Sequence, residues 1–212
     1  MSTIVEICND ALLNIRGQSI NSLNESTREA QVCKLKYPLV VEKVLREFNW
    51  SFAKKTQPLA LRTETLHRWR LCYQYPSDAL KIRDVTVLNI PTSNTVLGLY
   101  GTEYQEPDYT VPYEVLTVDG VKVIGCNIDD VVAEYTWNVV DPNLFDPIFK
   151  MMLGWYMGSQ IAVPIMGVGK GQREQRTALE QYAALKSEAL KNDDEEQGHT
   201  PTQETDLITG RY

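Results

Sequence analysis

Hydrophobic and polar positions change their period twice along this chain. Between residues 2 and 16, Ile4, Cys8, Leu12 and Ile15 recur at helical spacing, with Asn9, Asp10 and Asn14 between them. That spacing predicts a short amphipathic helix. Thr3 with Glu6 fits a capping box at its start, and Gly17 is placed to end it in a left-handed conformation. After a polar loop over 17–25, Ser26-Thr27-Arg28-Glu29 reads as a second capping box, opening a helix that runs to about Glu47. Its apolar face is Ala30, Cys33, Tyr37, Val40 or Val41, Val44 and Phe48. Pro38 lies inside it and frees the Lys34 carbonyl, but the pattern resumes beyond, so one kinked helix is expected. Trp50 and Phe52 read as core aromatics that pin its end.

From residue 58 the helical period is lost. Short β-branched and aromatic runs over 71–75, 80–88, 113–118, 121–126 and 131–137 predict strands. Asp119-Gly120, set between Val118 and Val121, is the strongest hairpin turn in the chain. Residues 92–112 show no fixed period and are expected to form a long contact loop.

Helical patterning returns at Asn143, with Asp141 or Asn143 as cap and Pro142 or Pro147 in the first turn. Residues 141–164 hold the longest nearly uncharged apolar segment, in which Lys150 interrupts the run. With Lys150, Ser159, Gln160 and a closing Pro164, the run is wrong for a membrane span and right for a buried helix. Gly154 and Gly158 have the spacing that lets another helix come close. Lys150 must then reach solvent or a carboxylate. The glycines at 167, 169 and 171 predict a helix stop and restart. A half-buried charged helix follows over about 170–191, and then the polar, acidic stretch 192–212, expected to be disordered in the isolated chain.

These elements predict an α+β, mainly α fold: a helical bundle of about four helices with a β-rich insertion between its N- and C-terminal halves. The expected division is 1–57 and 141–191 for the two halves, 58–140 for the insertion and 192–212 for a flexible tail. The expected bundle core includes Cys33, Tyr37, Trp50, Phe145, Phe149, Gly154 and Gly158.

Composition narrows the function. A net charge of −7 in 212 residues argues against gripping nucleic acid through its phosphates, though not against lining a conduit that DNA slides through. The four cysteines follow no metal or disulfide spacing, and the chain's start lacks a signal-peptide pattern, which together suggest reduced thiols and synthesis in a cytoplasm. With two histidines, neither at ligand spacing, no metal and no cofactor is expected. Gly167-Val168-Gly169-Lys170-Gly171 lacks the preceding strand, the spacing and the hydroxyl of a phosphate loop. Asp129 with Asp130 or Glu134, and Asp141 with Asp146, are carboxylate pairs of the type a glycosidase uses, but caps and turns account for them more simply. His67-Arg68-Trp69-Arg70, with Arg62, Lys81 and Arg83 near in sequence, is a small basic-aromatic cluster. On an acidic protein it reads as an inter-subunit contact before a DNA contact.

Arg28-Glu29-Ala30, Cys33, Tyr37-Pro38, Leu45-Arg46, Trp50 and Phe52-Ala53 form an ordered set. It continues through Tyr73, Tyr75-Pro76-Ser77-Asp78, Leu80, Tyr135, Val140-Asp141-Pro142, Phe145, Phe149 and the small-residue helix to Pro164. Over about residues 4–190 this set resembles the tail tubular protein A family of short-tailed double-stranded DNA phages. The resemblance implies a structural virion protein: a head-to-tail adaptor, or connector, forming a ring, usually of twelve copies (dodecameric), between portal and tail nozzle. Its implied partners are the portal protein, a nozzle protein of the tail tubular protein B type and further copies of itself. Phage DNA would pass through the lumen without sequence-specific binding, and no membrane is involved. The implied location is the virion tail, at the head-to-tail junction, after assembly in the host cytoplasm. Leu207, Ile208 and Tyr212 would anchor the tail on the portal. The alternative is a virion-associated hydrolase of cell-surface polysaccharide, with Asp129 and Glu134 as its carboxylates.

Overall fold

The computed structural model describes residues 3–88 and 110–196. Helix α1 (Ile4–Asn14) starts at Thr3, where both capping-box hydrogen bonds form: Glu6 N donates to Thr3 Oγ1 (3.2 Å) and Thr3 N to Glu6 Oε2 (2.9 Å). It does not end at Gly17 in the expected way. Arg16 takes the left-handed conformation (φ 58°), and Gly17 is needed for space instead. A Cβ there would lie 3.2 Å from Leu12 Cδ2, while Gly17 N donates to the Leu12 carbonyl at 2.7 Å.

Helix α2 (Arg28–Glu47) is capped by Thr27, one residue later than expected, through Ala30 N to Oγ1 at 3.4 Å. It is continuous through Pro38, which is exposed, so the carbonyl freed at Lys34 lies on the solvent side. Val40 and Val41 are both buried. Trp50 ties down the helix end by donating from Nε1 to the Val44 carbonyl at 3.0 Å. A 3-10 turn, Ser51–Ala53, then leads straight into the sheets.

Seven strands follow among the described residues: β1 (Lys54–Pro58), β2 (Leu61–Arg62), β3 (Leu71–Gln74), β4 (Ala79–Val87), β5 (Tyr113–Val118), β6 (Val121–Cys126) and β7 (Val131–Trp137). They form two antiparallel sheets, one ordered β1-β7-β4 and the other β2-β3-β6-β5. The connections β1–β2, β3–β4 and β6–β7 each carry the chain from one sheet to the other, so the sheets share corners. Leu59, Tyr73, Ile82, Val85, Val111, Ile124, Val131 and Tyr135 fill the space they enclose. The β5–β6 turn is the expected hairpin, with positive φ at Asp119 (49°) and Gly120 (79°).

Helix α3 (Pro147–Met166) is capped by Asp146, whose Oδ1 accepts from Ile148 N at 2.7 Å. The similar Asp141-Pro142 step makes only a 3-10 turn, Pro142–Leu144. Gly167 (φ 78°) stops α3, and helix α4 (Val168–Glu196) turns back along it. The two are close at Gly171, where a Cβ would sit 2.7 Å from Val163 Cα and 2.8 Å from the Ala162 carbonyl.

A mainly α-helical bundle carrying an insertion is therefore not the fold. The chain is a mixed α and β protein, with four α-helices and seven strands among the described residues, in which two sheets enclose a core of their own. The expectation understated the sheets for a physical reason. β1 (KKTQP) is a mostly exposed, polar edge strand and β2 (LR) an edge strand of only two residues, and neither has the β-branched alternation that marks a half-buried strand. Two boundaries move with them. The strands begin at Lys54 rather than after residue 57, and α4 continues to Glu196, past the expected start of a tail at 192. Most of the 92–112 segment lies outside the described residues. Its end does not: Val111 N donates to the Val85 carbonyl at 2.7 Å, and Thr110 bridges Thr86.

Candidate functional site

Cys33, Tyr37, Trp50, Phe145 and Phe149 are all buried in the helical core, as are Gly154 and Gly158 on α3. The rings of Trp50, Phe52, Phe145 and Phe149 form one cluster, with centroids 4.8–6.0 Å apart in edge and tilted contacts. Gly158 faces α1, where a Cβ would stand 3.2 Å from the Ala11 carbonyl oxygen and 3.3 Å from Ile15 Cγ2. Gly154 has more room, with Asn14 Nδ2 at 3.5 Å as its nearest neighbour. Lys150 is half-buried. Leu207, Ile208 and Tyr212 lie outside the described residues.

The carboxylates of the hydrolase reading are each held by a cation. Asp129, in the β6–β7 turn, pairs with the Arg70 guanidinium, and Glu134, on β7, pairs with Lys54 Nζ at 2.8 Å. Nor does the basic-aromatic cluster act as one patch. Arg62 forks onto Glu64, with Nε 2.9 and 3.0 Å from its two oxygens, and holds that carboxyl down at about 2. Trp69 donates to Glu114 Oε2 at 2.8 Å while its ring covers Gly125. Lys81 reaches Asn49 Oδ1 (3.3 Å), and Arg83 donates to Thr136 Oγ1 (3.0 Å) and the Trp50 carbonyl (2.6 Å). These two side chains strap β4 to the end of α2. His67 and Arg68 remain exposed, with the Arg68 guanidinium 5.8 Å from the Trp69 ring.

Two polar networks had no signal in the sequence. At the helix junction, Glu47 receives Lys43 Nζ at 2.6 Å, Lys186 Nζ at 3.6 Å and the Tyr182 hydroxyl. Tyr156 stacks on Tyr182 (4.9 Å) beneath Lys43, so α2, α3 and α4 meet there. Burial pushes the Glu47 carboxyl up, but the hydrogen bonds from Lys43 and Tyr182 and the field of Lys186 outweigh it and hold it below its ordinary value. On the sheets, the Tyr135 hydroxyl lies 2.8 Å from Gln57 Oε1 and 3.0 Å from Asp78 Oδ1, and Lys55 reaches the other Asp78 oxygen at 2.5 Å. Burial raises the Asp78 carboxyl, the bonds from Lys55 and Tyr135 lower it, and the balance is downward. Lys43 and Glu47 are one helical turn apart, but the partners that join elements, Glu47 with Tyr182 and Lys186 and Tyr135 with Gln57 and Asp78, are far apart in the chain and beyond the reach of periodicity.

Two helix faces are left open. On α2, Leu35 (71% exposed) and Leu39 (63%) flank Pro38 at one-turn spacing. Leu39 with Glu42, Lys43, Arg46 and Glu47 lines a groove of about 420 Å³. On α4, Gln172, Gln175, Arg176, Leu179, Glu180 and Ala183 line a second groove, of about 590 Å³, along a stripe of helical spacing. The linings differ in chemistry: Glu42, Lys43, Arg46 and Glu47 surround Leu39 on α2, whereas two amides, Arg176 and Glu180 surround Leu179 and Ala183 on α4. Among the described residues, no helix is long and apolar enough to cross a membrane. Comparison with protein-family models and with curated proteins finds no match.

Proposed function

We propose that this protein is a structural virion component, the head-to-tail adaptor that forms a ring between the portal and the tail nozzle of a short-tailed phage. The observation that carries the reading is the pair of unlike open faces, on α2 and on α4. A closed ring of identical subunits needs two different, complementary surfaces on every copy, because each contact is head-to-tail. The α2 ridge sets Leu35 and Leu39 beside two acidic and two basic side chains, and the α4 stripe sets Leu179 and Ala183 beside two amides, Arg176 and Glu180, so the two faces are unlike in chemistry. Both faces mix a few apolar residues with charges, which suits a contact made during assembly better than an obligate dimer core. The overall negative charge suits a lumen that must let DNA pass. The ordered likeness to tail tubular protein A supplies the partners, portal and nozzle, and the virion as location.

Negative-stain imaging of the chain mixed with portal tests this reading. A ring seated on the portal is expected. Portal particles that stay bare at saturating chain would overturn it. The hydrolase alternative draws less support, since Asp129 and Glu134 are each taken up in an ion pair. Release of sugars from capsule or peptidoglycan by the wild type, abolished in Asp129→Asn and Glu134→Gln variants that still fold, would revive it.

A further inference from the structure

The two open faces carry the same spacing. On α2, Leu35, Leu39, Glu42 and Arg46 follow at steps of four, three and four residues, and all are exposed. On α4, Gln172, Arg176, Leu179 and Ala183 repeat those steps, again all exposed. Such steps keep a row of side chains on one helix face, the seam by which two helices pack side by side. The residues on the seams separate the ways of laying them together. Parallel α2 on α2 sets Glu42 against Glu42, and antiparallel sets Leu39 against Glu42. Parallel α4 on α4 sets Arg176 against Arg176, and antiparallel sets Leu179 against it. Parallel α2 on α4 sets Leu39 against Arg176 and Glu42 against Leu179. Antiparallel α2 on α4 matches every layer: Leu35 with Ala183, Leu39 with Leu179, Glu42 with Arg176 and Arg46 with Gln172. Lys36 and Glu180 then flank the seam on one side. Lys36, Arg176 and Glu180 make no ion pair among the described residues, while Glu42 has Arg46 at 4.0 Å.

We propose that α2 of one copy lies antiparallel along α4 of the next, in the register that pairs Leu39 with Leu179 and Glu42 with Arg176. The occupant, a second copy of this chain, rests on the adaptor reading. Because the contact joins two different helices, a copy whose α4 is occupied keeps its α2 open, so copies add in one direction until the ring closes. Leucines at one end of the seam and charges at the other fix direction and register together. Sliding by one layer one way puts Leu39 on Arg176. Sliding the other way puts Glu42 on Leu179 and Arg46 on Arg176, so both slips are penalised. From Leu35 to Arg46 the seam is about 17 Å long, a small patch beside a lasting interface. Free copies therefore meet only briefly, and the portal, holding several side by side, makes the contact persist.

The test mixes full-length chains carrying single added cysteines on the two seams and treats them with a short bismaleimide, with and without portal. The native thiols are buried, and the wild type serves as the blank. Leu39→Cys with Leu179→Cys, and Leu35→Cys with Ala183→Cys, should give adducts between unlike chains. Leu35→Cys with Gln172→Cys should give none above the blank, because the antiparallel register sets those positions about 17 Å apart. Glu42→Arg in the Leu39→Cys chain should lower the 39–179 adduct about fivefold, and Arg176→Glu in its partner should restore it. Adducts mainly between like chains, a predominant 35–172 adduct, no adduct in either condition, or a charge reversal without effect would each overturn the proposal. Rings on the portal without a 39–179 link would sink this contact alone. That link without rings on the portal would sink the adaptor reading and leave the contact standing.

Discussion

The two cores of this protein are stabilised in different ways. The helical core is filled by Leu12, Ile15, Leu45, Met152, Leu153, Met157 and Ile161 around the Trp50–Phe149 ring cluster, with a glycine where a helix comes too near for a side chain. The sheet core is smaller and ringed by half-exposed ion pairs: Lys54–Glu134, Lys55–Asp78 and Arg62–Glu64, with the more exposed Arg70–Asp129 beyond them. Close packing makes the first region sensitive to volume, since a buried contact cannot relax without moving a helix. Charges at high dielectric make the second tolerant of single losses. The difference indicates which half of the molecule can carry changeable surfaces and which half must stay fixed.

The sharpest break in that comparison should come from Gly158→Leu or Gly171→Ala. At 158 even a Cβ is 3.2 Å from a backbone oxygen, and at 171 it is 2.7 Å from a backbone carbon. Soluble expression and circular dichroism should show loss of folding or assembly for both. Recovery of soluble, ring-competent Gly158→Leu protein would remove α3 from the centre of the account. Gly154→Ala is the matched control: its nearest neighbour is 3.5 Å away, so denaturant melts should show no loss. A gain of up to about 1 kcal/mol is allowed by helix propensity.

Next in size is Phe149→Ala, which removes the ring at the middle of the aromatic cluster. It should cost about 3–5 kcal/mol in urea unfolding. Below it comes Tyr135→Phe on the sheet side, at about 1 kcal/mol, because the hydroxyl holds Gln57 and Asp78 together. The smallest effect should be Asp129→Asn, under about 1 kcal/mol, since that pair is well exposed. A large loss there and a small one at Phe149 would invert the comparison.

Acid should find the networks before it finds the packing. Glu47 and Asp78 both have folded-state values below their unfolded ones. Their contribution is therefore fully present above the unfolded carboxylate pKa, about 4. It disappears as pH falls through the lowered folded values. Thermal melts from neutral to acid pH should show a midpoint that declines only below about pH 5. Glu47→Gln should flatten that decline, and an unchanged profile would deny Glu47 its place at the helix junction.

How much of this was legible in the sequence differed between the same two regions. Helical spacing marked α1 and the buried face of α2 closely, and β5, β6, β7 and their Asp119-Gly120 turn stood out by alternation and turn chemistry. What stayed hidden was polar or distant. Lys54–Pro58 forms a strand because β7 offers an edge to pair with, and nothing in Lys-Lys-Thr-Gln-Pro says so locally. Arg83 and Lys81 read as members of a surface patch, whereas tertiary contact turns them into straps onto residues 49 and 50. Periodicity reports which face is buried. It does not report which polar partner, scores of residues away, waits on the other side.

The account turns on the open faces of α2 and α4, and sedimentation velocity tests them most directly. The chain alone should sediment as a monomer, and with portal it should enter a single larger complex. Leu35→Asp and Leu179→Asp should each fold, because both side chains already face solvent, yet fail to complete the ring. A stable ring formed without portal, or full assembly by both variants, would contradict the account.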